Sequence, residues 1–153
     1  MTSPKVSVLM SVYNNAPYLE KAVQSILKQT FRDFELIIVD DGSIDESATI
    51  IQNQGDSRIR LAKSLNRGLD IAQGDYIARM DGDDISLPHR LETQVKFLDD
   101  HPTVGVLGSR MQVISADDKL LFNYDVPLAH SLIVWNLFFG WTFAHPTVIM
   151  RAH

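Results

Sequence analysis

The segment Phe34-Glu35-Leu36-Ile37-Ile38-Val39-Asp40-Asp41-Gly42-Ser43 is the stretch from which the fold class can be predicted. Its apolar residues 36–39 are consecutive, which is typical of a strand that helices cover on both faces. A second apolar run, residues 76–80, leads in the same way into Asp81-Gly82-Asp83-Asp84. Short runs of this kind alternate with helical patterns along the chain, and the alternation predicts an α/β layer fold.

Hydrophobic spacing and capping residues predict the other elements. Pro17 suits the first turn of one helix, and Gly74 suits the C-terminal cap of another. Ser86 is the predicted N-cap of a helix that has Pro88 in its first turn and ends at His101. The predicted strands are residues 6–12, 34–39, 59–62, 76–80, 104–107, 111–114 and 147–150. The remaining predicted helices are residues 17–29, 45–54, 65–73 and 129–138.

Length and composition fit one globular domain and exclude several classes of function. The chain has 153 residues, 45% of them hydrophobic and 22% charged. Fourteen Lys and Arg against 19 Asp and Glu give a net charge of -5, which argues against a nucleic-acid-binding surface. The absence of Cys from the sequence excludes a disulfide scaffold, a Cys-ligated zinc ion, a thiol nucleophile and an iron–sulfur cluster.

The most apolar stretch is residues 132–144, which is too short to cross a bilayer because a spanning helix needs roughly 20 apolar residues. Its aromatic residues are Trp135, Phe138, Phe139, Trp141 and Phe143. We expect a buried helix and turn here. The alternative is a surface patch that faces a membrane or a protein partner.

Two clusters of carboxylates follow strands of the predicted sheet. Asp40 and Asp41 end one strand, and Asp81, Asp83 and Asp84 follow another. Ligands of open α/β sheets bind beyond the carboxyl ends of the strands, so both clusters are expected to face one crevice. Two like charges ~4 Å apart repel by about 4 kcal/mol at an effective dielectric of about 20. The clusters therefore predict a hard divalent cation, although each could instead be a turn and helix cap.

Other phosphate and metal motifs fit the sequence less well. No G-x-G-x-x-G follows the first strand, and the sequence contains no P-loop. An EF-hand loop starting at Asp81 would need a ligand and a glycine where Ile85 and Ser86 stand. Residues 81–85, with the sequence Asp-Gly-Asp-Asp-Ile, are similar to the D-x-D-x-[TV] motif of phosphatases of the haloacid dehalogenase type. A phosphatase of this type stays open as an alternative, but it leaves Asp40 and Asp41 unexplained.

Taken together, the ordered motifs of the chain resemble the family 2 glycosyltransferases of the bacterial type. These are inverting enzymes with the nucleotide-sugar-binding GT-A fold. The motifs are residues 6–14, Ser25-Ile26-Leu27-Lys28-Gln29-Thr30-Phe31, residues 34–43, residues 74–84, Pro88-His89-Arg90-Leu91-Glu92 and His145-Pro146-Thr147-Val148. The resemblance implies a mainly parallel, twisted sheet flanked by helices. It also implies one GT-A domain over residues 1–153, as the N-terminal part of a longer protein.

The resemblance implies a donor nucleoside pocket that includes Ser11 and Tyr13, with Tyr13 stacked on a uracil. Asp41, together with Asp40, would accept hydrogen bonds from the base. Asp81 would lie near the ribose and the metal, and Asp83 would be the main ligand of Mn²⁺ or Mg²⁺. A bound cation stabilises the charge that a diphosphate leaving group gains.

The reaction implied by the resemblance is transfer of a sugar from a UDP-linked donor to a saccharide or lipid-linked acceptor, with inversion. It belongs to polysaccharide biosynthesis, in the cytoplasm or at the inner face of the membrane. The partners implied are the donor and the acceptor, with peripheral association with the membrane as a further candidate. The net charge argues against nucleic acid as a partner.

The catalytic base of this family is an Asp or Glu, and an inverting transfer needs one to deprotonate the acceptor hydroxyl. No carboxylate follows Asp125, so the base is expected beyond His153. His145 is a candidate for acceptor or donor binding, or else a structural histidine, and Arg79 is a candidate ion-pair partner of the acidic cluster. The alternative function is a non-catalytic nucleotide-sugar-binding module.

Overall fold

A computed structural model describes residues 3–140 and 142–152. Its strands are β1 (Val6–Val12), β2 (Phe34–Asp40), β3 (Ile59–Ala62), β4 (Tyr76–Asp81), β5 (Val106–Leu107), β6 (Met111–Ile114), β7 (Leu120–Tyr124) and β8 (Ile149–Arg151). Its helices are α1 (Ala16–Leu27), α2 (Ser47–Gln52), α3 (Leu65–Ile71), α4 (Arg90–Asp100) and α5 (His130–Asn136).

Six strands form the central sheet in the order β3–β2–β1–β4–β8–β5, and β6 pairs with β7 in a separate hairpin. The first four strands of this order are parallel, with Met10 of β1 opposite both Ile38 and Met80. The strand β8 runs antiparallel to β4 and β5. The α/β fold with a mainly parallel sheet is therefore confirmed, whereas β7 was not predicted.

Helices cover both faces of the sheet, as the consecutive apolar residues of β2 predicted. One face packs against α1, α2 and α4 through a large core that includes Leu19, Ile26 and Leu98. The other face is smaller, and α3 covers it over Leu9, Ile37 and Val39. This arrangement leaves the carboxyl ends of β1, β2 and β4 together at one edge of the sheet.

The start of α4 differs from the prediction because Ser86 is not its N-cap. The helix begins at Arg90, after His89. Ser86 is buried, and its hydroxyl accepts a hydrogen bond from Gln29 Nε2 at 3.2 Å. The fully buried Gln29 also donates to the Leu87 carbonyl (2.7 Å) and accepts from the Leu91 amide (3.0 Å). The side chain of Gln29, which follows α1, therefore caps the start of α4 in the way that was predicted for Ser86.

The prediction that Gly74 caps α3 is also wrong. The helix ends at Ile71 with Ala72 as its cap. Gly74 lies against the backbone of Ser7, and a Cβ there would come within 2.5 Å of the Ser7 amide nitrogen. Its amide donates to Ser7 Oγ at 2.9 Å. The glycine is needed for this close approach between two strands' ends.

The prediction of a buried helix within residues 132–144 is wrong for α5, which contains no buried residue. Trp135, Phe138 and Phe139 are 62%, 78% and 74% exposed. Trp141 lies outside the described residues. Leu120, Leu121 and Phe122 of β7 are exposed as well. The alternative of an apolar surface patch therefore describes α5 and residues 137–139, whereas Thr142 and Ala144 at the end of the stretch are buried. Among the described residues, no helix is long and apolar enough to span a bilayer.

Candidate functional site

A cleft of about 280 Å³ lies where β1, β2 and β4 end. Its lining residues are Ser11, Val12, Tyr13, Asn15, Asp41, Asp81, Gly82 and Asp83. Five of the six residues that the resemblance assigned to donor binding are in this set. The remaining one, Asp40, accepts a hydrogen bond from the Ser43 amide at 2.9 Å and so stabilises the turn after β2. The two acidic segments thus meet at one edge of the sheet, as their positions after parallel strands predicted.

The β1–β4 side of the cleft is held by contacts around Asp81. Ser11 Oγ donates to Asp81 Oδ1 at 2.9 Å, and the Gly82 amide donates to the Ser11 carbonyl at 2.9 Å. Arg79 Nη2 forms an ion pair with the same Asp81 oxygen at 3.4 Å, as predicted. The Nε atom of Arg79 is buried and has no hydrogen-bond partner among the described residues. These contacts compensate part of the Asp81 charge.

Asp83 and Asp84 continue this side of the cleft into the turn after β4. Asp83 is exposed at the cleft, whereas Asp84 is half-buried. Burial, together with the nearby negative charges of Asp83 and Asp81, raises the pKa of Asp84 to about 6, and the positive charge of Arg90 opposes this shift. The turn is therefore a place where negative charge is crowded and a cation would be favoured.

The residues at the cleft fit a divalent cation that takes part of its coordination from a ligand. No group of three or more His, Asp or Glu residues in the described part of the chain is arranged to hold an ion. Asp81 and Asp83 nevertheless supply carboxylate oxygens to the cleft. Mg²⁺ usually binds proteins through one or two carboxylates, several waters and the phosphates of a substrate. Such a cation would bind weakly by itself and tightly with a diphosphate.

Tyr13 and Asp41 form the other side of the cleft. The Asp41 amide donates to the Val12 carbonyl at 3.0 Å, so the pairing of β1 with β2 continues to the edge of the site. Both side chains are exposed, and Tyr13 is 60% exposed. A phenol ring and a carboxylate that follow two adjacent strands and line one cleft can offer a stacking surface and a hydrogen-bond acceptor to a planar base.

The turn between β1 and α1 has an unusual set of hydrogen bonds. Four consecutive amides donate to side-chain oxygens: Tyr13 to Asn15 Oδ1 (2.9 Å), Asn14 to Ser43 Oγ (3.0 Å), Asn15 to Ser47 Oγ (3.1 Å) and Ala16 to Asp45 Oδ2 (3.0 Å). The next amide with a hydrogen, that of Tyr18, donates to the Asn15 carbonyl at 2.9 Å. Each amide in the first turn of α1 therefore already has an acceptor.

His145 is exposed and begins a 3-10 turn, His145–Thr147, just before β8. The Arg79 amide donates to the Val148 carbonyl at 2.8 Å. Because β8 runs antiparallel to β4, the chain before Val148 passes the carboxyl end of β4. His145 thus lies at the same sheet edge as the acidic turn, and its role in donor or acceptor binding stays a prediction.

Several residues of the site were not singled out from the sequence. Asn15 and Gly82 both line the cleft, and a Cβ on Gly82 would lie 3.0 Å from Asn15 Oδ1. Ser43, Asp45 and Ser47 hold the turn that carries Tyr13. Ser, Asp and Asn residues are common in turns for local reasons. From the sequence alone, therefore, nothing indicated that Ser43, Asp45 and Ser47 bind the turn about 30 residues earlier in the chain.

These features define an α/β protein with an acidic ligand cleft at the ends of its parallel strands. The chain belongs to glycosyl transferase family 2, whose family model matches residues 7–147. The family match covers both acidic segments, whereas the phosphatase alternative accounted for only one of them.

Among curated proteins, the chain is 38% identical to the putative glycosyltransferase EpsE of Bacillus subtilis, over 99% of this chain and 58% of that protein. It is 33% identical to the glycosyltransferase GlyG of Streptococcus pneumoniae, over 78% of this chain and 44% of that protein. The chain thus spans about half the length of these curated relatives.

Two solved structures share the fold. One is residues 1–349 of TarS from S. aureus in complex with UDP-GlcNAc, with a TM-score of 0.76 and 24% identity, covering 97% of this chain and 45% of that one. The other is the mannosyltransferase PcManGT from Pyrobaculum calidifontis in complex with GDP-Man and Mn²⁺. It has a TM-score of 0.62 and 26% identity, covering 77% of this chain and 38% of that one. The chain has the GT-A fold of these enzymes.

Proposed function

We propose that the cleft binds a nucleotide-diphosphate sugar, with UDP as the nucleotide and Mn²⁺ or Mg²⁺ as the cation. The whole protein would transfer the sugar with inversion to a saccharide or lipid-linked acceptor in polysaccharide biosynthesis. The place of action would be the cytoplasm or the inner face of a membrane. The observation that carries the proposal is the meeting of Tyr13 and Asp41 with Asp81 and Asp83 around one cleft.

The hydrogen bonds of the first turn of α1 support the requirement for a cation. In many nucleotide-binding folds a diphosphate lies against free amides at a helix N-terminus. Here Asp45, Ser47 and Asn15 already accept the hydrogen bonds of these amides, and the carboxylate of Asp45 adds a negative charge. A diphosphate would thus need another source of positive charge beside the carboxylates of the cleft.

The residues of the chain would divide the donor between them. Tyr13 would stack on the base, and Asp41 would accept a hydrogen bond from its N–H edge. Asp83, with Asp81 beside it, would hold the cation against the two phosphates. Ser11 would keep the Asp81 carboxylate oriented through its 2.9 Å hydrogen bond. The bound cation would supply electrostatic stabilisation of the departing diphosphate.

The solved structures of similar fold support a nucleotide-sugar donor but differ in the base. TarS is in complex with UDP-GlcNAc and PcManGT with GDP-Man. We take uracil as the base because the motif resemblance implies a UDP-linked donor, and because the Asp41 carboxylate can accept its N3–H and the exposed Tyr13 ring can stack on it. The donor sugar and the acceptor would be selected by residues outside this cleft.

A second candidate function is binding of a nucleotide sugar without catalysis. The observation that favours it is that all three carboxylates lining the cleft, Asp41, Asp81 and Asp83, are assigned to the donor and its cation. Under this function the chain would bind UDP, but it would neither transfer sugar nor hydrolyse the donor. Measured turnover distinguishes the two functions.

A thermal-unfolding screen of UDP and GDP in the presence of Mn²⁺ tests the proposed donor. We expect UDP to raise the melting temperature more than GDP does. Asp41→Asn should weaken UDP binding by roughly 1–3 kcal/mol, because an amide nitrogen can face the base N–H and leave it unpaired. Asp117→Asn, at an exposed position of the β6–β7 hairpin, is the matched control. Equal stabilisation by both nucleotides, or unchanged UDP affinity of Asp41→Asn, would contradict the assignment.

A further inference from the structure

Hydrogen bonds join the loop between β2 and α2 to the turn after β1. Asn14 has a left-handed backbone, with φ of 53°. Its amide donates to Ser43 Oγ at 3.0 Å, and its own Oδ1 accepts from the Ile44 amide at 2.9 Å. The two loops therefore exchange hydrogen bonds in both directions, as the two partners of a capping box do.

The same loop supports its own end of this clamp. The amide of Ser43 donates to Asp40 Oδ1 at 2.9 Å, which fixes the serine relative to the end of β2. The amide of Ser47 donates to Asp45 Oδ1 at 2.9 Å, which fixes the two acceptors of the α1 amides relative to each other. Ser47 is buried, so water competes little for its hydroxyl, whereas Ser43 is half-buried.

The residue that this clamp holds is Tyr13. Tyr13 directly precedes Asn14, and its side chain is 60% exposed, so few side-chain contacts orient the ring. Its orientation depends on the backbone of a non-glycine residue in a left-handed conformation, which is uncommon without local support. Asp41, which lines the same side of the cleft as Tyr13, precedes Ser43 by two residues. The clamp thus joins the two segments that carry Tyr13 and Asp41.

We infer that Ser43 is a positioning residue for nucleotide binding: its hydroxyl holds the Asn14 turn so that Tyr13 stays beside Asp41 in the lining of the cleft. This inference rests on the proposed function, because it assumes that the ligand is a nucleotide such as UDP. It assigns to the serine after Asp40-Asp41-Gly42 a role in the ligand site that acts through another residue, and it predicts pre-organisation of the cleft before the nucleotide binds.

The experiment uses the 153-residue chain with UDP and Mn²⁺ as the probe, and it compares five variants with the parent. Ser43→Ala removes the acceptor, Ser43→Thr keeps a hydroxyl, and Ser57→Ala changes an exposed serine at the opposite edge of the sheet. Tyr13→Ala, alone and combined with Ser43→Ala, completes a double-mutant cycle. Calorimetry gives UDP affinity, and NMR gives the hydrogen-exchange rate of the Asn14 amide without any ligand.

We expect Ser43→Ala to weaken UDP binding by about three- to tenfold, the effect of one neutral hydrogen bond, and to speed exchange of the Asn14 amide. Ser43→Thr and Ser57→Ala should behave as the parent does. In the Tyr13→Ala background, Ser43→Ala should cause no further loss, because the serine acts through the tyrosine. A general loss of stability would instead weaken binding equally in both backgrounds.

Three results would overturn the inference. In the first, the Ser43→Ala variant binds UDP as tightly as the parent does. In the second, the Asn14 amide of that variant exchanges at the parent's rate. In the third, Ser43→Ala weakens UDP binding by the same factor in the Tyr13→Ala background as in the parent. In each of these cases the parent still binds UDP, so the proposed function stands. A parent chain that binds no UDP would overturn the proposed function and this inference together.

Discussion

Replacing Gln29 by leucine tests how the acidic turn is attached to the rest of the fold. Gln29 is fully buried, and it joins the end of α1 to the segment that runs from the acidic turn into α4. Leucine has a similar size but neither donates nor accepts hydrogen bonds. The Leu91 amide and the Leu87 carbonyl would then lose their 3.0 Å and 2.7 Å partners.

The magnitude follows from these two groups. A buried polar group left without a partner costs about 1–3 kcal/mol, and the added apolar surface of leucine offsets part of this. We expect Gln29→Leu to lower the free energy of unfolding by roughly 2–4 kcal/mol. For a chain of this length the melting temperature should fall by roughly 5–15 °C. Urea unfolding followed by circular dichroism measures the change.

Two further variants make the result specific. Gln52→Leu, at an exposed position of α2, should stay within about 0.5 kcal/mol of the parent. Gln29→Glu keeps an acceptor for the Leu91 amide but loses the donor for the Leu87 carbonyl while it is ionised. Its deficit should therefore shrink as the pH falls and the carboxyl regains a proton. A Gln29→Leu variant as stable as the Gln52→Leu variant would refute this reasoning.

Three other predictions follow from the structure and the sequence. Gly74→Ala should destabilise the fold by about 1–3 kcal/mol or more, because its Cβ would lie 2.5 Å from the Ser7 backbone. Gly105→Ala should leave the stability unchanged, because the space around Gly105 is open. Equal melting temperatures of the two variants would contradict this account. Hydrogen bonds from Arg58 lower the pKa of Asp56 to about 2, so its stabilisation is complete above its unfolded pKa of 3.8 and is lost as the pH falls to about 2. The stability gap between the parent and Asp56→Asn should therefore close over that range, and a gap that is constant with pH would exclude this contribution. The 153-residue chain should bind donor but transfer sugar only at a background rate, because general-base catalysis contributes about 10²–10⁴-fold and the three carboxylates that line the cleft are assigned to the donor and its cation; turnover well above background on any acceptor would contradict this.

The features that could be predicted from the sequence are those that depend on local patterns. The apolar run of β2 and the acidic residues after β2 and β4 predicted the parallel sheet and the edge at which the clusters meet. Strands β1, β3 and β6 have the bounds that hydrophobic spacing predicted. These elements are specified by neighbouring residues, and burial of a whole strand leaves a strong signal.

The features that could not be predicted depend on contacts between distant residues. Ser86 and Gly74 both carry local signals of a helix end, but tertiary contacts with Gln29 and Ser7 decide their roles. The clamp of Asn14 by Ser43 joins residues 29 positions apart, and each is an ordinary turn residue in sequence. The exposure of α5 could not be predicted because an apolar segment has the same composition whether it is buried or forms a surface patch.

The central claim is that the cleft binds a nucleotide diphosphate through a cation held at Asp83. Calorimetric titration of UDP into the parent chain, with and without Mn²⁺, tests it most directly, and Asp83→Ala is the paired variant. We predict that Mn²⁺ raises the UDP affinity of the parent by about tenfold or more and that Asp83→Ala removes most of this gain. The same UDP affinity with and without Mn²⁺ in the parent chain would contradict the account.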